Sequence, residues 1–390
     1  MARMPTELAP AASGPAGTRT RRVVSKSLPQ HNRVHNRSMM LQALFHRGAM
    51  SRADLARESG LTRPTVSVLV SELAADGIVA EVGQREDARV GKPAQLVEID
   101  ADSFHIVALD LSNGRRFVGA VMNLRGEVLA ESSLEVDGAT GDAAVAKVVR
   151  LSERLVAQTP RRLLGIAVGV PGIVDDQGVV REALDLEWSD VPLRARLADH
   201  FRVPVRIAND ANLSAVGMHM FSEAPGQSVM VVTIEDGVGV GLVIGGALVQ
   251  GEQFAAGEIG HVTVGDPGVG EACTCGRSGC LETVIGARYL ARRIAGLTDD
   301  ARDAALRDAG SALGVVIAPV ISALNLNHVV VTGPRELIEG PLRDATLATI
   351  RARTLSSVGD ALSLRMSDDD ADLVLLGGAS LMLQAELGVY

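Results

Sequence analysis

All three cysteines of this 390-residue chain, Cys273, Cys275 and Cys280, fall within eight positions of one segment, GEIGHVTVGDPGVGEACTCGRSGCLE, which runs from Gly257 to Glu282. No other feature constrains the fold as tightly. An odd number of thiols cannot pair completely, and cysteines one residue apart cannot bridge each other without strain. Thiols gathered this closely are explained most simply by a metal ion, with Cys273, Cys275 and Cys280 as three thiolates. His261, twelve residues before the first cysteine, is the candidate fourth ligand. A Cys₃His set suits tetrahedral Zn²⁺ and leaves no position open for catalysis, so one structural zinc per chain is expected. Gly276 and Gly279 permit the tight knuckle that this needs. The flanking segments EIGH and CLE carry Glu258 and Glu282, so the metal would also position two carboxylates. With His261 these supply acceptors for the vicinal hydroxyls of a sugar. The competing reading is three buried thiols with no metal.

Charge divides the chain. Residues 1–97 carry 14 Lys or Arg against 8 Asp or Glu, a net +6, and since the whole chain is at −9 the remaining 293 residues carry −15. A basic front on an acidic body suggests a small nucleic-acid module attached to a larger domain. Residues 1–31, rich in Ala, Pro, Gly, Ser, Thr and Arg, show no periodicity and read as a disordered basic arm, with a transit peptide as the alternative. Residues 32–99 read as a winged helix-turn-helix. A first helix carries Leu41, Leu44 and Phe45 on one face and ends near Gly48; a second starts at the box Ser51 to Asp54 and stops at Gly60. A third is capped by Thr62, has Pro64 in its first turn and turns Val66, Leu69, Val70 and Leu73 inward. Two strands, Ile78 to Val82 and Gln95 to Ile99, flank the polar loop QREDARVGKPA. On this reading Thr62, Arg63, Thr65 and Ser67 face double-stranded DNA from the recognition helix, and Arg89, Gly91 and Lys92 from the wing. A helical bundle that binds no nucleic acid is the alternative.

Beyond residue 100 short apolar strands alternate with amphipathic helices, an α/β architecture in two lobes. FHIVALDLS, RFVGAVMNL and GEVLAESSL are followed by a helix from about Asp142 to Gln158 and the strand LLGIAVGV. A second unit starts with SVMVVTIE and GVGVGLVIGG and runs to HVVVTG and ADLVLLGG. Ligands of such folds sit between lobes at strand ends. Aromatic residues are 2% of the chain, which argues against recognition by stacking and for hydrogen-bonded recognition. No apolar run of membrane-spanning length and no secretion signal are evident, so a cytoplasmic protein without a membrane partner is expected.

GEIGH, CTCGRSGCLE, GVPGIVDDQG and the NDAN of Asn209 to Asn212 together resemble the ROK family, which groups sugar-responsive repressors with sugar kinases. The resemblance covers the chain from residue 35 onward, and the front module with its GKP wing looks like the repressor branch. It implies a ribonuclease H-like, actin/hexokinase-type domain over residues 100–390, with one lobe at about 100–212 plus 373–390 and the other at about 213–372. It implies zinc ligands at His261, Cys273, Cys275 and Cys280, and sugar contacts at Asn209, Asp210, Glu258, His261 and Glu282. Asn209 and Asp210 could equally cap the following helix, and Glu282 could be a solvated loop charge.

Three departures bear on mechanism. Where kinases of the family resemble D-x-G-G-T, this chain has Asp110-Leu111-Ser112-Asn113-Gly114; where they resemble G-T-G-x-G, it has Gly237-Val238-Gly239-Val240-Gly241; where they resemble G-G-G, it has Thr332-Gly333-Pro334-Arg335. Phosphoryl transfer depends on positioning phosphate and metal, so the expectation is a regulator that is not an enzyme, even though Asp210, the family's proposed base, is present. The expected function is a repressor that binds its operator as a homodimer or dimer of dimers, with affinity set by a sugar between the lobes. An active sugar kinase with a DNA-binding appendage, and a zinc sensor, are the competing readings. Asp185, where the family more often has asparagine, leaves the sugar open. Trp188 reads as packing, Asp368 to Asp370 as a solvated turn, and His31, His35 and His46 as solvated or packing residues.

Overall fold

The structure, a computed structural model, describes residues 29–84, 94–221, 228–266, 268–367 and 370–390. The expected N-terminal arm lies outside these residues up to position 28, as do the wing loop over 85–93 and two residues of the acidic run at 368–369. The N-terminal module consists of α1 (Pro29–Arg47), β1 (Met50–Ser51), α2 (Arg52–Ser59), α3 (Arg63–Ala75), β2 (Val79–Gln84) and β3 (Gln95–Ile99). Its helix starts follow from local chemistry. Ser51 Oγ accepts the Asp54 N–H while the Asp54 carboxylate accepts the Ser51 N–H, a closed capping box. Thr62 caps α3 with Pro64 in the first turn, and Gly60 ends α2 in the left-handed region. α1 begins six residues before the His35 at which its periodicity becomes legible. β1, only two residues long, pairs with β3 and completes a sheet of order β1-β3-β2.

The body contains β4 (Phe104–Asp110), β5 (Arg116–Met122), β6 (Val128–Glu135), α4 (Gly141–Val156) and β7 (Arg162–Val170). A small sheet of β8 (Ile173–Val174), β9 (Val180–Ala183) and β10 (Trp188–Val191) follows, then α5 (Leu193–Phe201), β11 (Val205–Asn209) and α6 (Asp210–Phe221). Next come β12 (Val229–Ile234), β13 (Val238–Ile244), β14 (Ala247–Leu248), α7 (Leu281–Ile285), α8 (Ala287–Ile294) and α9 (Asp299–Leu324). The chain closes with β15 (His328–Thr332), α10 (Arg335–Ile338), α11 (Pro341–Arg353), α12 (Ser356–Gly359), β16 (Ser363–Ser367) and α13 (Asp370–Met382).

The two large sheets have one topology written twice. Their orders are β11-β7-β4-β5-β6 and β16-β15-β12-β13-β14, each an antiparallel meander extended by two parallel strands. Each sheet with its helices is a lobe, and each has its own buried core. ADLVLLGG, which its apolar run groups with HVVVTG, is helical and belongs to α13; a continuous apolar run fits a buried helix as well as a buried strand. α9 has the length and hydropathy of a membrane-spanning helix, which the sequence reading passes over, but Leu306, Leu313, Ile317 and Ile321 bury one face of it in the second lobe's core. Trp188 is packing: it is 2% exposed and its Nε1 donates to the Gly141 carbonyl at 2.9 Å.

Candidate functional site

The segment that carries the three cysteines folds as a short knuckle. The Cys273 N–H donates to the Arg277 carbonyl at 2.8 Å and Gly276 N–H to Cys273 at 3.0 Å. Gly276 and Gly279 sit at φ of 84° and 71°, where a side chain would be strained. The ligand atoms of His261, Cys273, Cys275 and Cys280 all lie within 4.8 Å of one another, with Cys273 Sγ 3.4 Å from His261 Nδ1 and Cys275 Sγ 3.6 Å from Cys280 Sγ. Zn–S bonds of ~2.3 Å in a tetrahedron require sulfurs about 3.8 Å apart, so side chains this close can converge on a single ion with small adjustments. Burial pushes the Cys273 thiol up and the Cys280 thiol up to about 12. Burial acts the same way on Cys275, but the Arg277 backbone and side chain outweigh it and bring that thiol down to about 6.

The same loop builds one wall of a cleft of about 490 Å³ between the two sheets. Glu258 and His261 reach it from a one-turn helix at Glu258–His261, Glu282 from the first turn of α7, and Asn209 and Asp210 from the β11–α6 junction. All five expected sugar-contact residues therefore line one cavity. Cys273 Sγ stands 3.7 Å from Glu282 Oε1, so the metal cluster and the cleft touch directly. Nδ1 of His261 faces the thiols, which assigns Nε2 to the cleft side. The helix-cap reading of Asn209 is also present: its Oδ1 accepts the Asn212 N–H at 2.9 Å while its amide donates to Gly172 and to Asp210. Burial, then the charges of Glu282 and Glu182 set against that of His261, pushes the Glu258 carboxyl up. Burial followed by the Asp110 charge pushes Asp210 well above the usual carboxylate range. Glu182, Glu235 and Arg277 line the cleft as well, and sequence reasoning does not select them. Glu235 carries a usable signal, its place beside the Gly237 turn, whereas Glu182 sits in a short strand with none.

At the β4–β5 turn, whose Ser112 lines the same cleft, the chain folds back on itself. Asp110, 3% exposed, accepts from the Ser112 N–H and the Ser112 hydroxyl, each at 2.9 Å. Asn113 Oδ1 accepts the N–H groups of Arg115 and Arg116 at 2.9 and 3.2 Å. Burial, then Glu235, pushes the Asp110 carboxyl up to about 7. Gly239 and Gly241 of the second loop lie within β13, where a Cβ on Gly241 would stand 2.1 Å from the Ala211 carbonyl oxygen. Packing on α6 accounts for those glycines without a phosphate.

On the N-terminal module Thr62, Arg63 and Ser67 are exposed on the first turns of α3 and Thr65 is half-buried. Thr65 shares a 2.8 Å hydroxyl contact with Thr62. Val68, passed over in the sequence, is 57% exposed on the same helix and offers an apolar surface of the kind that meets thymine methyl groups. Arg89, Gly91 and Lys92 lie outside the described residues.

Comparison with known proteins follows the same division. Residues 107–384 match the ROK family and residues 36–90 the MarR family. The chain is 32% identical over 262 residues to the xylose repressor of Caldicellulosiruptor bescii, a match spanning 65% of this chain and 64% of that relative. It is 24% identical over 368 residues to the xylose repressor of Bacillus subtilis, covering 89% and 94%. A crystal structure of a ROK family transcriptional regulator, homolog of the E. coli MLC protein, shares the fold with a TM-score of 0.78 at 24% identity, over 92% of this chain and 97% of that one.

Proposed function

The chain belongs to the ROK family, and from that premise we propose that it is a sequence-specific DNA-binding transcriptional regulator, a repressor whose operator affinity is set by a sugar or sugar derivative in the cleft. The observation that carries this reading is the junction of two features in one molecule: a helix-turn-helix presenting Thr62, Arg63 and Ser67, and a cleft that gathers Asn209, Asp210, Glu258, His261 and Glu282 beside a Cys₃His cluster. The cleft offers acceptor oxygens and an imidazole with little aromatic surface, which suits a polyol held by hydrogen bonds.

Zinc is the ion that the donor set favours, and its role would be structural: bound, it holds the knuckle with three thiolates and one imidazole. His261 is then fixed as one tautomer whose Nε2 addresses a sugar hydroxyl, and Glu282 is held next to the cluster. The expected partners are an operator duplex, a sugar effector and a second copy of the chain, because paired recognition helices must meet half-sites about one or two DNA turns apart. The expected location is the cytoplasm. Self-closed loops at the nucleotide end favour this reading over a working sugar kinase, the alternative that Asp210 keeps in play.

The test is fluorescence anisotropy of the full chain on the DNA upstream of its own gene, at fixed salt, titrated with neutral sugars and their phosphates. One of them should change operator affinity by roughly 5- to 150-fold. Arg63→Ala should weaken binding by about 1–3 kcal/mol if Arg63 reads a base. If specific binding persists and no carbohydrate alters it, the sugar-sensing half of the proposal fails.

A further inference from the structure

α6 and α13 hold equivalent places in the two repeats, each following the last strand of its own sheet, yet each packs on the other repeat. α6 lies against β12 and β13, and α13 against β4 and β7. They cross backbone to backbone: a Cβ on Gly217 would stand 2.5 Å from the Leu373 carbonyl oxygen, and one on Gly377 2.0 Å from that of Leu213. No side chain separates the helices there to absorb relative motion, so rotation of one lobe against the other must turn one helix about the other at this crossing. Both helices reach the cleft, α6 through Asp210 and α13 through Val374.

Their far ends reach the N-terminal module. Met220 of α6 and Met382 of α13, with Leu383 and Leu387 just beyond, share a continuous buried core with Leu41, Leu44 and Phe45 of α1. Phe221, the last residue of α6, meets Phe45 edge-on, with ring centroids 6.1 Å apart at 70°. Arg125, in the turn between β5 and β6 of the first lobe, donates to the Phe45 carbonyl at 2.5 Å and lays its guanidinium over the Phe45 ring at 5.3 Å. Phe45 is thus held from one side by the first lobe and touched from another by the helix that packs on the second. α1 sits astride the hinge, and Arg33 and Arg37 tie it by ion pairs to Glu72 and Asp76 at the end of the recognition helix.

We propose that α1 reads lobe closure, and that the sugar's effect on DNA affinity passes along α6 through the Phe221–Phe45 contact. This rests on the sugar-regulated DNA-binding reading above. Phe221 is then a positioning residue, since it contacts neither sugar nor DNA.

The experiment measures operator affinity of the full chain with and without saturating effector, in wild type, Phe221→Leu, Phe45→Leu and, as a packing control in the first lobe, Trp188→Phe. The ratio of the two affinities is the coupling factor. Both phenylalanine variants should keep sugar affinity within about twofold while the coupling factor falls at least about threefold toward 1, and by reciprocity the operator should lose its effect on sugar affinity equally. Trp188→Phe should keep the wild-type factor. If either phenylalanine variant fails to fold, the other carries the test. An undiminished factor in a folded variant overturns the proposal, as does an equal loss in the control. A wild type that binds sugar and operator without mutual effect overturns both this proposal and the reading beneath it, whereas a coupled wild type with coupled variants overturns this one alone.

Discussion

Two sets of loops line the interlobe cleft, those carried by the cysteine knuckle and those at the β4–β5 and β12–β13 turns, and they have been treated oppositely. At the cysteine knuckle Glu258, His261 and Glu282 are brought to the cavity, with Glu282 3.7 Å from Cys273. At the β4–β5 turn Ser112 donates to Asp110, and Asn113 Oδ1 accepts from Arg115 and Arg116, so these side chains make their hydrogen bonds within the turn. On the proposed reading the first set is prepared for a sugar, while the hydrogen bonds of the second are made within the chain. The lesson is that a fold says little about activity, which has to be argued from the residues of the site.

The largest effect that sharpens this contrast is at the metal. Cys275→Ser or Cys280→Ser should lower zinc content from one per chain toward zero by elemental analysis and remove the sugar-induced thermal shift. Structural zinc is worth ~10–16 kcal/mol in small peptides, so even a fraction of that would unsettle the cleft wall. Asn113→Gly in the β4–β5 turn should leave both readouts in place.

The next effect is a pH dependence centred on Asp110. The folded Asp110 carboxyl, at about 7 against an ordinary 3.8, holds its proton more tightly than the unfolded chain does. Stability should therefore fall as pH rises through the interval between those values and level off above it, by about 4 kcal/mol at most. Asp210, raised in the same direction and coupled to Asp110, adds to the fall. Asp110→Asn should flatten this profile in denaturant melts between pH 4 and 8, and an unchanged slope would count against the burial argument.

Smaller again, Glu258→Gln and Glu282→Gln should each weaken sugar binding by roughly 10- to 150-fold, from ~1.5–3 kcal/mol for a hydrogen bond to a charged group, with zinc content retained. Loss of metal in Glu282→Gln would show that Glu282 acts on the knuckle, 3.7 Å from Cys273, and not on the ligand. Least affected should be Ser112→Gly, whose sugar affinity should stay within about twofold of wild type, since Ser112, although it lines the cleft, gives its N–H and its hydroxyl to Asp110.

Much of this was legible in the sequence because it was written in local chemistry. Ser51 and Asp54 announce a capping box, Thr62 and Pro64 a helix start, and CxCGxxGC a knuckle, and each depends on residues a few positions apart. Motif resemblance also pointed to five residues that share a cavity although they lie as far apart as Asn209 and Glu282. What stayed hidden depends on tertiary approach. Glu182 enters the cleft only because a two-residue β8 and a short β9 fold over it, and nothing in VREA marks that. The helix exchange of α6 and α13 is equally silent, since Gly217 and Gly377 look like ordinary helix-interior glycines until each meets the other helix's backbone. ADLVLLGG was ambiguous for the same reason, because burial on all sides erases the period that distinguishes helix from strand.

Calorimetric titration of one zinc-loaded preparation with a panel of sugars, and then with ATP and Mg²⁺, bears most directly on the contrast between the two ends. A saturable heat of binding for at least one sugar, with none for the nucleotide before or after sugar, is the predicted result. Nucleotide binding accompanied by phosphorylation of the sugar would contradict the account.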